Sequence, residues 1–470
     1  MALRIAGGLG TLLMAGCASL QPGGIPDASM VAVAVPDRLP SEPQHVAADH
    51  DLTQWWLQMQ DPVLDTLIET TLVQNPDLEA ARFRFVRANE LIVGQRAQLF
   101  PRLDTSGSVS RSVGNDGPDG DTTQFSNLLS ASWEIDLFGG LRSSVAAARF
   151  DAKASAADYG VQRVSLIAAM ALAYVDEKLA RRRIALTEST LLAQRRTAQI
   201  AEWRVEAGLA SGVDREQARQ LVFQTEATLP GLRSSRRVAA NRIAALAGEA
   251  PGDIDRMLEA DNSMPAPVAI GSLMPANLVR RRPDVASAEN ALAAEAARIG
   301  VARANLYPRL SLSGSIGSNA LSIGDIVDGL VGNLQALISQ PLFDGGRNRA
   351  NLRAQEAQAK VAMAQYRSAV LGALEEADNA YDAVQAARLR LTLRGNAERT
   401  ADNAALYIRQ QYSAGLVDFS RLLDAERTLL SARDARAQAE ADVVQSSIRL
   451  VQALGGDAPA ANALPNERGQ

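Results

Sequence analysis

The 470-residue sequence predicts a mixed α/β membrane protein built from two tandem pseudo-repeats, each with a strand pair and a very long helical hairpin. Three observations predict it. The first is a repeat at one fixed offset of 207 residues: Pro76-Asp77 recurs as Pro283-Asp284, Phe100-Pro101-Arg102-Leu103 as Tyr307-Pro308-Arg309-Leu310, and Ala207-Gly208-Leu209 as Ala414-Gly415-Leu416. That period far exceeds the 20–50 residues of a solenoid repeat. The second is polar–apolar alternation in duplicated places. The third is a pair of stretches, Leu141 to Ala207 and Arg347 to Ala414, that lack proline altogether.

Taken in order, residues 1–16 read as an export signal. Arg4 precedes the apolar run from Ile5 to Ala15, which is too short to span a bilayer as a helix. Met14-Ala15-Gly16-Cys17 closes it, and Cys17 is the only cysteine, so it forms no internal disulfide. Residues 17–52 follow as a proline-rich tether, which cannot bury a core of its own. The first repeat, 53–260, starts at Trp55-Trp56 and continues as helix from Pro62 to Gln98. A break is expected near Asn75-Pro76, because proline disfavours helix at the preceding residue. The second repeat, 261–456, has a helix over Pro275 to Asn305, broken at Arg282-Pro283, and 457–470 reads as a disordered tail.

Each repeat then alternates. Leu103, Thr105, Gly107 and Val109 oppose Asp104, Ser106, Ser108 and Ser110. Beyond a Gly/Asp-rich stretch, 114–121, Phe125, Leu129, Ala131, Trp133, Ile135 and Leu137 share a face. The second repeat matches with Leu310, Leu312, Gly314 and Ile316, and with Leu334, Ala336, Ile338 and Leu342. Such strands suit a transmembrane barrel with a wet interior, although an ordinary half-exposed hairpin gives the same pattern. Past Gly139-Gly140 and Gly345-Gly346 come the long helices, about 100 Å each at 1.5 Å per residue. They turn at Gly208 and Gly415 into returning helices, about Asp214 to Gly248 and Asp418 to Gly455, the first interrupted by Pro230-Gly231.

Four strands cannot close a barrel, because an open edge in lipid leaves backbone groups unpaired. Copies must pool strands; two give eight and three give twelve, and the pattern alone admits both. The net charge of −5 gives nucleic acid no electrostatic footprint, and no segment is apolar enough for a helical span. His45 and His50 lie in the tether without a cysteine companion, so no metal site is expected. No catalytic triad, phosphate loop or HExxH motif is present, so an enzyme is not expected.

An ordered set of motifs spans residues 55–456: Trp55-Trp56 with Asp61-Pro62, Asn75-Pro76-Asp77, Trp133-Glu134-Ile135-Asp136-Leu137-Phe138-Gly139, Arg281-Arg282-Pro283-Asp284, Ile299-Gly300, Tyr307-Pro308 and Gln340-Pro341-Leu342-Phe343-Asp344-Gly345-Gly346. With the lipobox-like Cys17, the chain resembles the TolC-type outer-membrane efflux factors, in particular the NodT/OprM-like lipoproteins of RND multidrug systems. The resemblance implies a homotrimer whose twelve-stranded β-barrel, four strands per chain, continues as a periplasmic α-helical barrel. It implies N-acyl and S-diacylglycerol lipid on Cys17 and no other cofactor. It also implies two partners, a periplasmic adaptor and an inner-membrane RND-type pump. The absence of Asp after Cys17 implies the outer membrane.

At the 207 offset the second helical tip carries Asp418 for Ser211, Asp424 for Gln217, Arg421 for Asp214 and Tyr412 for Val205. In such channels the second hairpin closes the duct, so the resemblance implies a gate of Asp418 and Asp424 with Leu416, braced by Tyr412 or Arg421. Asp418 serves equally as a helix N-cap and Asp424 as a solvated acid. Gly208-Leu209 and Gly415-Leu416 are implied as adaptor-docking points, though each glycine also caps a helix. Glu134 and Asp136 would line the barrel lumen if Trp133 faces lipid. The rival readings are a non-conducting periplasmic adaptor or scaffold, and the duct of a type I secretion system.

Overall fold

Proline placement and strand alternation set the element boundaries. The computed structural model describes residues 52–113, 122–259, 263–269, 281–327 and 329–456. The signal segment, Cys17, nearly all of the tether, the 114–121 stretch, the repeat boundary at 260/261 and the tail lie outside these residues. A short 3-10 turn, Trp55–Met59, leads into α1 (Pro62–Gln74) and α2 (Pro76–Ala97), split at the expected Asn75-Pro76 break. Strands β1 (Arg102–Ser112) and β2 (Thr122–Ile135) precede α3 (Gly140–Glu206). The returning helix is two pieces, α4 (Gly212–Glu226) and α5 (Leu229–Ala247); Pro230 sits in the first turn of α5, where its missing N–H costs nothing. A short α6 (Asp255–Leu258), which the sequence reading lacks, follows. The second repeat supplies α7 (Pro283–Ala304), β3 (Arg309–Ala320), β4 (Val331–Ser339), α8 (Arg347–Ser413) and α9 (Phe419–Ala453). Helices α3 and α8 are each 67 residues long.

The chain divides into two units. One, from Phe83–Ala156 and Ser287–Ser368, contains the sheet, ordered β1-β2-β3-β4 and antiparallel throughout. Its register sums the alternation of four strands into two chemically distinct faces. Trp133 pairs with Leu312 and Leu312 with Ala336; Ile135 pairs with Leu310 and Leu310 with Ile338. On the opposite face Ser132 pairs with Ser313 and Ser313 with Gln335, while Asp104 pairs with Ser130 and Ser130 with Ser315. The strands stop short of the expected Leu137 and Leu342. Both leucines fall in the turns to α3 and α8. Near those turns the rings of Phe138 and Tyr307 stack at 4.8 Å, and Trp133 Nε1 donates to the Leu99 carbonyl at 3.0 Å. A Cβ on Gly300 would sit 2.6 Å from Ser143 Oγ, so glycine is what lets α7 approach α3 this closely.

The other unit, built from residues up to Arg82 with Ala157–Ala286 and the chain from Ala369, holds the main core. Trp55, Trp56, Leu64, Leu67 and Ile68 pack with Ile167, Met170 and Tyr174 of α3 and with Val444 and Ile448 of α9. Asp61 caps α1 by accepting from the Val63 and Leu64 N–H groups, and its second oxygen accepts from Tyr174 Oη at 2.8 Å. Lys178 Nζ lies 4.0 Å away, 5.0 Å from the Tyr174 ring centroid, so this buried carboxylate is hydrogen-bonded and charge-matched.

The repeat also explains the two proline motifs. Asn75 Nδ2 donates to the Leu246 carbonyl at the end of α5, and Arg282, its counterpart at the 207 offset, donates to the Ala453 carbonyl at the end of α9. Asn75 also caps α2 through Oδ1, whereas Arg282 forms ion pairs with Asp284 and Glu376 at 2.8 and 2.7 Å. Burial opposes the Arg282 charge, but the two carboxylates outweigh it and hold the guanidinium protonated; its charge in turn keeps Asp284 below the usual carboxylate range against that acid's own burial.

Candidate functional site

Both helical tips lie in the second unit and have one backbone design. At the first, the Leu209 N–H donates to the Arg204 carbonyl at 2.7 Å and the Gly208 N–H to Val205, with Gly208 at φ 69°. At the second, Leu416 donates to Gln411 at 2.8 Å and Gly415 to Tyr412, with Gly415 at φ 73°. This pairing satisfies the last helical carbonyls and demands a left-handed residue, which glycine adopts without strain. The leucine after each glycine projects outward: Leu209 is 71% exposed and Leu416 75%.

The restart of the chain differs. Ser211 accepts from the Asp214 N–H, and Asp214 accepts from the Ser211 N–H, forming a capping box at the head of α4. Asp418 stands at the same place before α9, in extended backbone, yet its carboxylate makes no capping hydrogen bond. Asp418, Arg421 and Asp424 are all exposed. Asp424 pairs with Arg427, 3.6 Å away on the same helix.

The tips meet through an apolar cluster of Ala201, Ala218, Leu221, Phe419, Leu422 and Leu423, against which Tyr412 packs. The Tyr412 ring lies 5.4 Å from that of Phe419, with the Arg204 guanidinium 4.9 Å over its face. Burial, helped by Asp214, pushes the Tyr412 phenol up, while Arg204 pulls it down. The phenol therefore stays protonated at neutral pH. Of the two proposed braces, Tyr412 makes the cross-tip contact; Arg421 donates its backbone N–H to Asp418 and presents its side chain to solvent.

Sequence reasoning missed Arg204 and Phe419, and it missed a charge exchange one turn behind the tips. Glu202 of α3 pairs with Arg219 of α4 at 3.1 Å. At the 207 offset these become Arg409 and Glu426, 3.9 Å apart with signs reversed. Glu426 is buried, accepts from Thr197 Oγ1 at 3.4 Å, and has one oxygen without a partner. Burial raises its pKa, opposed by Arg409 and Thr197. Comparing the repeats residue by residue along both hairpins would have found the exchange.

Of the two expected lumen residues, Glu134 lies in β2 opposite Ser311, on the serine face and away from Trp133 and Ile135. Asp136 lies beyond the strand. It accepts from the Leu141 and Arg142 N–H groups and from the Arg142 guanidinium, so it caps α3.

The family model described as "Outer membrane efflux protein" matches residues 67–249 and again 274–456, two stretches set apart by the same 207-residue offset. The chain is 30% identical over 456 residues to the toluene efflux pump outer membrane protein TtgC of Pseudomonas putida, covering 94% of this chain and 93% of that protein. It is 29% identical over 433 residues to the pyoverdine export outer membrane protein OpmQ of Pseudomonas aeruginosa, covering 89% and 91%. The solved outer-membrane channel OprN superposes with a TM-score of 0.79 at 32% identity, over 90% of this chain and 99% of that one.

Proposed function

The chain belongs to the outer membrane efflux protein family, and we propose that it is the outer-membrane duct of a tripartite efflux system, passing on substrates that an inner-membrane pump delivers through a periplasmic adaptor. The observation that carries this reading is the register of the four strands. It gathers one apolar face and one serine-rich face on a sheet with two open edges, β1 and β4. Open edges are intolerable in lipid, and three copies make the smallest closed barrel with room for a passage. The assembly is a homotrimer of twelve strands, with Glu134 turned to the lumen and the long helices as periplasmic walls.

The tips carry the two remaining functions. The exposed Leu209 and Leu416, held out by Gly208 and Gly415, form apolar docking points for the adaptor. Asp418 and Asp424, neither used for capping, converge from three chains as six carboxylates beside a ring of Leu416. Carboxylates so placed repel one another and bind cations, which suits a gate that a partner opens. Tyr412 braces it across the tips; Arg421, free to turn toward the carboxylate ring, tempers its charge. Cys17 carries N-acyl and S-diacylglycerol lipid, which mass spectrometry of the membrane-extracted chain checks.

The test is direct. Detergent-extracted protein should migrate as a trimer and conduct ions in planar bilayers. A monomer without conductance would decide for the non-conducting scaffold.

A further inference from the structure

The connection between β3 and β4 folds back over the apolar face of the sheet. By register Ser318 and Ala320 stand on that face, opposite Asn127 and Phe125, and they are the two buried residues of β3. The Ser318 N–H donates to Asn127 Oδ1 at 3.0 Å, and its hydroxyl reaches the Ile326 carbonyl oxygen in the connection. Ser318 therefore holds Asn127 through its backbone and pins the loop through its hydroxyl. A one-turn helix, Ile323–Asp325, capped by Ser322, shapes it further.

The outward side of the loop is unusual. Leu321, Ile323 and Val327 are 74%, 70% and 68% exposed, and Leu330 at the foot of β4 is 53% exposed. Asp325 is the only charge between 321 and 327. Connections that face water are ordinarily polar, and contiguous exposed apolar side chains mark a binding surface. The Ser318 bond holds this segment on the side of the sheet's apolar face.

We propose that residues 321–327 lie in the boundary between headgroups and acyl chains of the outer leaflet, a belt of loop side chains that extends the lipid-facing surface of each subunit. Leu321, Ile323 and Val327 enter the acyl region, and Asp325 remains among the headgroups. The arrangement is that of an interfacial segment, with its apolar side sunk a few ångströms, and the Gly324 and Asp325 N–H groups and the Ile326 carbonyl are bonded within the chain. The inference rests on the reading of the sheet as a barrel wall.

Since Cys17 is the only cysteine, a second one takes a nitroxide label selectively. Ile323→Cys and Val327→Cys would be labelled in the full acylated chain, reconstituted into phosphatidylethanolamine–phosphatidylglycerol liposomes. Leu334→Cys on the apolar face and Gln335→Cys on the serine face serve as references. Both loop labels should be broadened by oxygen and shielded from an aqueous nickel complex, as at Leu334. Nickel broadening like that of Gln335, beside a lipid-like Leu334, would overturn the inference and leave the channel reading intact. Dipolar broadening between loop labels would also overturn it, by showing that the loops meet one another. An aqueous Leu334 would sink the barrel reading as well.

Discussion

At the first tip Ser211 and Asp214 lock the start of α4 through each other's backbone; at the second, Asp418 occupies Ser211's place and caps nothing. The glycine turns that precede them are the same to within a few degrees, φ 69° and 73°. Duplication has kept what backbone geometry demands, because few residues other than glycine tolerate that conformation. It has released what only side chains decide. A carboxylate at a helix start that is not used as a cap is available for another role; Asp418 is such an acid, and Asp424 is exposed further along α9. The second tip also brings an aromatic ring, Phe419, where the first has Gly212 at the same offset.

That ring is where the comparison breaks most readily. Phe419 is buried in the cluster that joins the tips and touches Tyr412, so Phe419→Ala should cost about 3–5 kcal/mol of local stability. Hydrogen exchange should show faster exchange at the start of α9 and also at the end of α3 and in α4. Loss confined to α9 would mean that the tips are independent and that Phe419 is no bridge.

The next effect is functional. Asp418→Ala with Asp424→Ala should raise the single-channel conductance of the closed trimer and relieve block by multivalent cations. The paired control, Ser211→Ala with Gln217→Ala, should change neither. Equal responses at the two tips, or unchanged block in the first variant, would remove the gate from the second hairpin.

Much of this was legible in the chain, and the physical reason is periodicity. Strand alternation, proline breaks and glycine turns are local signals, and the fixed offset doubled each of them. The strands ended earlier than their apolar pattern because Leu137 and Leu342 continue the alternation while the backbone has already turned. Asp136 continues the polar side of that pattern, and only its bonds to Leu141 and Arg142 reveal that it caps α3. The Arg204–Tyr412 contact joins residues more than two hundred positions apart and has no periodic signature. Nor does Asp418 announce in sequence that its side chain goes unused, since aspartate is among the commonest N-caps.

The unused cap gives a sharper and smaller test. Ser211→Ala removes a hydrogen bond to the Asp214 N–H and should lower the stability of α4 by about 1 kcal/mol, read from exchange in its first turn. Asp418→Ala removes none and should leave exchange at the start of α9 unchanged. A matching loss at both positions would mean that Asp418 caps α9 in solution.

The smallest expected difference lies one turn behind the tips, in the exchanged ion pairs. Arg219 is half exposed, so Arg219→Ala should cost no more than about 1 kcal/mol, screened further by salt. Glu426 is buried, and burial makes its carboxyl harder to ionise than the ordinary value of 4.5. The native state therefore holds this proton more tightly than the unfolded chain. Its contribution is complete below pH 4.5 and is lost as pH rises through the higher native value. Glu426→Gln, a neutral isostere, removes that dependence. Unfolding followed from pH 4 upward should show wild-type stability falling relative to the variant across this window, with salt having little influence. A wild type that gains on the variant as pH rises would mean that Arg409, despite its 3.9 Å separation, holds the ionised form against burial, and that the reversed pair is the stronger of the two.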